Sequence, residues 1–273
     1  MQREPAIELG RVEDPAGPGR LPVRTLVVVA VAGVLVAVLV PLTRRGAPAA
    51  APEARAAVVL RSAATAAERE QSGGPQHRTT RLMTVDVVEY PDGRLVPERT
   101  WTVTEQWVPA DPYTEWRLRS YDLAAPTLVS DLHGRCGSYY ASPGEDPCAA
   151  PGDWRAPTAR FLGTLPHEPV AMLARLRKAG SDPWENGTAA LESGALPAGL
   201  IAVVYRALAE LPGVLVEARA GRLFVYRESG GARFGVLLDE RTLTLTGHER
   251  WRAGTLIDSA ETAIIIDHEG LRR

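Results

Sequence analysis

Apolar residues first occur as a continuous run, Leu26 to Leu42, that contains Gly33 and Pro41 but no charged residue. Its roughly 17 residues reach about 26 Å as a helix, close to the ~30 Å hydrocarbon core of a bilayer once Leu21 and Val23 are added and Arg24 snorkels. A cleaved signal peptide has a shorter apolar region of about 7–15 residues followed by a small-residue cleavage site. Here Arg44 and Arg45 stand between the run and Ala47-Pro48-Ala49-Ala50-Ala51. The pattern therefore predicts a retained transmembrane helix over 25–43, with a short tail at 1–24 and an Ala/Pro/Arg linker over 44–52.

The remainder, 53–273, alternates between two periods. Glu53 to Gln71 is dense in Ala, Arg and Glu around Val58, Val59 and Leu60, and Ser72-Gly73-Gly74-Pro75 ends it, which predicts a helix. The period then falls to 2. Met83, Val85 and Val87 lead to a turn at Pro91-Asp92-Gly93-Arg94, Trp101, Val103 and Trp107 follow on alternate positions, and Trp116 and Leu118 mark a third strand. Helical spacing returns at Val170, Leu173 and Leu176, and again from about Pro197 to Leu211 before Pro212-Gly213. Five further strands are predicted, Val214 to Ala218, Leu223 to Glu228, Phe234 to Asp239, Leu243 to Trp251 and Leu256 to Asp267, joined by turns such as Ser229-Gly230-Gly231. Strands, helices and strands in that order indicate an α+β domain of antiparallel, curved sheet(s) with helices between two strand meanders, the second meander forming a second sheet. Strict strand–helix alternation is absent, which excludes a doubly wound nucleotide-binding sheet.

Composition changes this picture little. The chain has 273 residues, 45% hydrophobic and 23% charged with a formal net charge of −2, so neither a disordered polyelectrolyte nor a basic nucleic-acid-binding surface is indicated. Arginines flank the apolar run on both sides, Arg11, Arg20 and Arg24 before it and Arg44, Arg45 and Arg55 after it, so charge counting leaves the orientation level. The cysteines supply a direction. Cys136 and Cys148 lie in one Gly/Pro/Asp-rich stretch and can pair in an oxidising compartment, which places the large domain outside the cytoplasm of a single-pass cell-membrane protein. Two unpaired thiols are the alternative; zinc is not indicated, since no Cys-x-x-Cys and no second histidine stands beside His133.

Catalytic patterns are missing: no phosphate-binding Gly-x-x-x-x-Gly-Lys loop, no His-Glu-x-x-His and no Gly-x-Ser-x-Gly occurs. Asp131 and His133 share one face of a strand with Ser138 near in sequence, a grouping that arises freely as surface hydrogen bonding. The expectation is therefore no catalytic residue, no metal and no cofactor. Asn186-Gly187-Thr188 matches a glycosylation acceptor, a common pattern. Trp101, Trp107 and Trp116 in adjacent strands read first as a packed sheet face. The sharper reading is an aromatic lining, shared by Trp251, that accepts an acyl chain or a peptide.

Three segments carry a resemblance: Phe161-Leu-Gly-Thr-Leu-Pro-His-Glu-Pro169, Leu196-Pro-Ala-Gly-Leu-Ile-Ala-Val-Val-Tyr-Arg-Ala-Leu-Ala-Glu-Leu-Pro-Gly-Val214, and Leu237-Leu-Asp-Glu240 in the final strands. With them the chain resembles a family of actinobacterial single-pass membrane proteins often encoded beside sigma-factor genes, and Lys178 as the single lysine among many arginines fits a GC-rich source. The resemblance implies an extracytoplasmic domain behind an N-in anchor, a possible link to sigma-factor signalling, and a distant similarity in fold to lipoprotein carriers of the LolA type and stress sensors of the RseB type. Relatives often carry a longer cytoplasmic region than residues 1–24, so direct sequestration of a sigma factor is not implied. The combined expectation is a membrane-anchored binding or sensing module for an apolar ligand or an envelope protein, with an envelope enzyme of hydrolase type or a structural envelope protein as alternatives.

Overall fold

A computed structural model describes residues 52–266 apart from short stretches at 70–75, 91–93, 110, 112, 125–126, 140–143 and 179–181. The transmembrane helix, tail and linker expected over 1–52 lie outside the described residues, save Pro52. Among those residues no helix is long and apolar enough to cross a membrane.

The first element, α1 (Pro52–Arg69), buries Ala56, Leu60, Ala63, Ala64 and Ala67, one stripe at helical spacing. Four of those five are alanines, so another backbone can approach closely. Four strands follow, β1 (Gln76–Glu89), β2 (Leu95–Val108), β3 (Glu115–Asp122) and β4 (Thr127–Arg135), then a 3₁₀ turn at Pro147–Ala149. Helices α2 (Ala159–Leu162), α3 (Pro169–Arg177), α4 (Pro183–Glu192) and α5 (Ala198–Leu208) lead to β5 (Val214–Arg219), β6 (Arg222–Ser229), β7 (Ala232–Asp239), β8 (Leu245–Arg252) and β9 (Thr255–Ile266).

The two meanders are not two sheets. They join through β1 and β9, paired antiparallel from Gln76↔Ile266 to Thr84↔Asp258, into one curved nine-stranded sheet of order β4-β3-β2-β1-β9-β8-β7-β6-β5. The expectation of a separate second sheet is corrected by this pairing. Two long strands that begin and end their meanders each need a second neighbour for their backbone groups, and they supply it to each other. The hairpin periodicity within each meander contains no trace of so distant a pairing.

Helix α4 is a second departure, since no helix was expected over 183–192. Its start signal is nevertheless present in the sequence: the Asp182 carboxylate accepts the Trp184 backbone N–H at 2.7 Å, Pro183 stands in the first turn and Glu185 follows. Asn186 lies within this helix and is buried, donating through Nδ2 to the Leu176 carbonyl at 2.9 Å, so the glycosylation pattern is a structural residue in the folded domain.

One hydrophobic core holds the helices to half of the sheet. Leu200, Val204, Ala207 and Leu208 of α5 pack with Ala63 and Ala64 of α1, Leu176 of α3 and Trp184 of α4 above Val225, Val236 and Leu238. Trp184 also donates its indole N–H to the Phe234 carbonyl at 2.8 Å, which satisfies the one polar atom it brings into the core. Helix α1 additionally packs against β5, the outermost strand of that half. Strands β1 to β4 have no comparable cover: among the described elements no helix packs on them to more than a marginal extent.

Candidate functional site

The pairing registers assign every strand residue to a face. On the helix side one transverse row reads Val216, Val225, Val236, His248, Ala260, Leu82, Thr102 and Asp122. It passes from aliphatic to polar as it leaves the helices. Beyond His248 this face is a field of hydroxyls, Thr80, Thr84, Thr100, Thr104 and Ser120, around the half-buried Leu82 and Leu118.

The frontier between the two parts is a half-buried ionic cluster. His248 Nδ1 meets Glu192 of α4 at 3.1 Å and His248 Nε2 meets Asp258 of β9 at 3.4 Å. Burial disfavours the imidazolium, but the hydrogen bonds to Asp258 and Glu192 outweigh it and hold the His248 pKa up to about 9. Arg78 of β1, 5% exposed, donates to Thr262 at 3.5 Å, and burial lowers its pKa to about 10 against the attraction of Glu192. The cluster fastens α4 to the centre of the sheet with charges that neutralise one another.

On the opposite face arginines lie over aromatic rings. In β1 to β4, Arg81 covers Trp101 at 4.6 Å, Trp107 stacks on His77 at 4.7 Å, and Arg117 and Arg119 both approach Trp107 at 5.7 Å. Asp131 ties the last two together, accepting from Arg117 at 2.9 and 2.7 Å and from Arg119 at 3.1 Å, and these hydrogen bonds hold its carboxyl well below the usual carboxylate range. In the other half, Arg219 lies over Phe224 at 4.3 Å and over Trp251 at 5.3 Å while bonding Glu217 and Glu249. Tyr226 stacks on Phe224 and donates to Glu217 at 2.7 Å; burial and that hydrogen bond push its pKa up to about 12. A concavity of about 460 Å³ beside Arg219, Arg233 and Trp251 is closed by the hairpin tips at Gly230, Gly231 and Gly254. All of its arginines and Trp251 are already bonded to Glu217, Glu228 or Glu249.

The four tryptophans singled out in sequence therefore do not form one lining. Trp101, Trp107 and Trp251 share the face away from the helices, whereas Trp116, 3% exposed, points to the helix side and meets Tyr139 edge-on at 6.4 Å. Trp101 and Trp107 on β2 and Trp116 on the neighbouring β3 differ in parity: Trp107 is opposite Arg117, so position 116 faces the other way, and Trp251 lies on β8, with β1 and β9 between.

Trp116 sits beside the disulfide loop. Cys136 and Cys148 are bonded, with Cα atoms 5.0 Å apart. Strand β4 ends at Arg135, and the chain then turns through Cys136 and Gly137, both at positive φ (57° and 79°). Arg135 and Ser138 exchange backbone hydrogen bonds of 3.1 and 2.9 Å across this turn. Only glycine fits at 134, where a Cβ would stand 2.1 Å from the Ser138 carbonyl oxygen. The loop is then anchored to α2, whose Ala159 N–H donates to the Cys136 carbonyl at 3.0 Å.

Asp131, His133 and Ser138 do not form a catalytic set. His133 is held between Glu115, on Nδ1, and Asp131, 3.5 Å from Nε2, and no hydrogen bond joins the Ser138 hydroxyl to it. Both ring nitrogens face carboxylates, Glu115 at one and Asp131 at the other. Among the described residues no group of His, Cys, Asp and Glu could hold a metal ion. What the region does offer is a concavity of about 350 Å³ at the end of β4, lined by Glu115, His133, Gly134, Arg135, Ser138, Tyr139 and Pro147. Sequence reasoning missed Glu115 and Arg135, which only the β3–β4 register brings opposite each other.

No family model matches the chain, and no curated protein matches it. Distant structural neighbours exist. The MucA/MucB complex of Pseudomonas aeruginosa is similar over 79% of this chain at 11% identity and a TM-score of 0.33, and the match spans 59% of that chain. A DUF1329 family protein from Desulfovibrio piger is similar over 81% of this chain and 95% of its own, at 9% identity and a TM-score of 0.21. Likenesses at this level do not bear on what the site does.

Proposed function

We propose that the chain is a membrane-tethered module outside the cytoplasm that binds a polypeptide of the cell envelope and performs no chemistry on it. The observation that supports this reading is the division of the sheet: one face of β5 to β8 is covered by helices, while among the described elements no α-helix packs to more than a marginal extent on β1 to β4, whose faces are half-exposed. A polypeptide suits that half better than the acyl chain that the tryptophans first suggested. The helix-side face there is lined with threonine hydroxyls, and desolvating a hydroxyl without a partner costs roughly 1–3 kcal/mol. A polypeptide brings donors and acceptors for those groups; a hydrocarbon does not. The opposite face, with arginines over Trp101 and Trp107, suits a peptide for the same reason. A link to sigma-factor signalling follows from the family resemblance in sequence, with the tether carrying the bound state inward.

A photo-crosslinking residue at Thr102 or Val103 of the full chain tests the reading against one at Glu210, beside the helices. A defined polypeptide adduct at β2, displaced by adding that polypeptide in purified form, is the expected result. Lipid in the purified chain by native mass spectrometry, with no polypeptide adduct at β2, would sink it.

A further inference from the structure

The two faces of β1 to β3 carry charges of opposite sign. In the β1–β2 register Asp86 stands directly opposite Glu98, and both share a face with Leu82, Thr84, Thr100 and Thr102, the helix side. Asp122, opposite Thr102 in the β2–β3 register, is on that side too. Arg81, Arg99, Arg117 and Arg119 fall on the other face, with Glu105 and Glu115 among them. Among the described side chains, the one cation that β1 to β3 turn to the helix side is Arg78, buried at the frontier and attracted by Glu192.

The three carboxylates on the helix side are not neutralised. Asp86 and Glu98 are exposed and Asp122 is half-buried, and none of them makes an ion pair among the described residues. What they accept is neutral: the Tyr90 hydroxyl donates to Glu98, and the Ala124 N–H donates to Asp122 at 2.8 Å. The undescribed stretches within 52–266 contain no lysine or arginine, so none of them can supply the missing cation. Arg272 and Arg273 follow β9, which ends opposite Gln76, about 33 Å along β1 from Asp86, whereas the chain after Ile266 spans at most about 25 Å. Like charges directly opposite on neighbouring strands repel, and a cation placed between them removes the repulsion. Beside this pair the hydroxyls of Thr84, Thr100 and Thr102 make no hydrogen bond among the described residues. Towards the hairpin tip the next pair is apolar, Val88 opposite Val96, with Val88 38% exposed.

Resting on the polypeptide-binding reading above, we infer that the helix-side face of β1 to β3 is the one that takes the polypeptide, and that it takes a basic segment. A lysine or arginine side chain of the partner lies between Asp86 and Glu98, an apolar side chain near it covers Val88 and Val96, and its backbone groups meet the hydroxyls of Thr84, Thr100 and Thr102. In an extended segment laid along the hairpin, residues two apart repeat at the same roughly 6.7 Å as the rows of the sheet, so one segment can fill both places. The arginine-rich opposite face repels the same segment, which makes the choice of face a matter of charge.

The probes are random peptides displayed on phage, selected against the immobilised full chain and resynthesised. Lysine and arginine should be enriched in them over the unselected library. In fluorescence anisotropy their binding is expected to weaken about tenfold or more when Asp86→Asn and Glu98→Gln are combined, and to weaken with added salt, while Glu105→Gln on the opposite face of β2 leaves it within about twofold. A photo-crosslinking residue at Thr102 should capture the peptide, and one at Val103, its neighbour on the other face, should not. Both substituted carboxylates are exposed, so the heat-unfolding midpoint of the double variant should be no lower than that of wild type, which separates lost binding from lost folding. Selected peptides rich in Asp and Glu, or adducts at Val103 alone with binding indifferent to Asp86→Asn and Glu98→Gln, would overturn this inference and leave the polypeptide reading standing. An adduct of Thr102 with residues 1–51 of the same chain in place of peptide would overturn it as well. Recovery of no peptide at all would overturn both.

Discussion

Strands β5 to β8 and strands β1 to β4 belong to one sheet with continuous pairing, yet they handle burial differently. Where α5 and its neighbours lie above the sheet, the row facing them is Val216, Val225 and Val236; where the helices stop, the same row continues as His248, Ala260, Leu82, Thr102 and Asp122. A sheet face can be aliphatic only where something keeps water off it, and a face left open must carry groups that water or a partner can satisfy. The ionic cluster of His248, Glu192, Asp258 and Arg78 stands at the line where one regime gives way to the other. The comparison teaches that stability is concentrated in one half and availability in the other.

Truncation in the covered half should break the protein most. Leu208→Ala, at a fully buried position, is expected to cost about 2–5 kcal/mol in denaturant unfolding, while Leu118→Ala in the open half costs about 1 kcal/mol. Equal losses would mean that the open half is packed as tightly as the covered one. Next comes the disulfide. Its 12-residue separation predicts that Cys136→Ser with Cys148→Ser lowers stability by about 3 kcal/mol, with near-native far-UV circular dichroism where the double variant still folds.

The frontier has its own signature in pH. His248 is raised from 6.5 to about 9 in the folded chain, so the stabilisation it provides is fully present below pH 6.5 and is lost as pH climbs to about 9. At about 1.4 kcal/mol for each pKa unit, the decline is at most about 3–4 kcal/mol. The groups facing it are Glu192 from α4 and Asp258 from β9, with Arg78 from β1 close to Glu192 and Arg250 opposite Asp258 in the β8–β9 register. Wild type and His248→Gln should therefore converge in heat-unfolding midpoint as pH rises from 6.5 to 9; parallel curves would remove His248 from the account. The smallest effect belongs to the open face. Arg117→Ala should leave the heat-unfolding midpoint nearly unchanged, because the pair with Asp131 is solvated, while altering the fluorescence of Trp107 beneath it.

Much of this fold is written locally. The turns at Ser229-Gly230-Gly231 and Ala253-Gly254, the alternation in β6 and β7 and the apolar stripe of α5 lie in short windows, and the elements form where those windows place them. Helix α4 was legible as well, in Asp182-Pro183 with Glu185 behind it, but Gly187 and the two polar residues around it dilute its apolar stripe. The candidate site was legible only in pieces. Trp101, Trp107 and Trp251 do share a face, yet Trp116 is turned from it by one residue of register, a shift that no hydrophobic count along β3 reveals. His133 was visible as a residue and not as a position, because its partner Glu115 and the cation of Arg135 come from the ends of two strands.

By itself the sequence determined the element types other than α4, many of the turns, the nearness of the two cysteines and the absence of known catalytic patterns, since each depends on residues close together in the chain. Tertiary structure alone decided that two meanders become one sheet, which half of it the helices cover, which tryptophans face together and that Glu115 and Arg135 stand opposite each other. Those outcomes depend on contacts such as β1 with β9 and His248 with Glu192, between segments far apart along the chain. The free energy of such contacts comes from burial and charge neutralisation in a shared interior, a property of the assembled layers that no single segment carries.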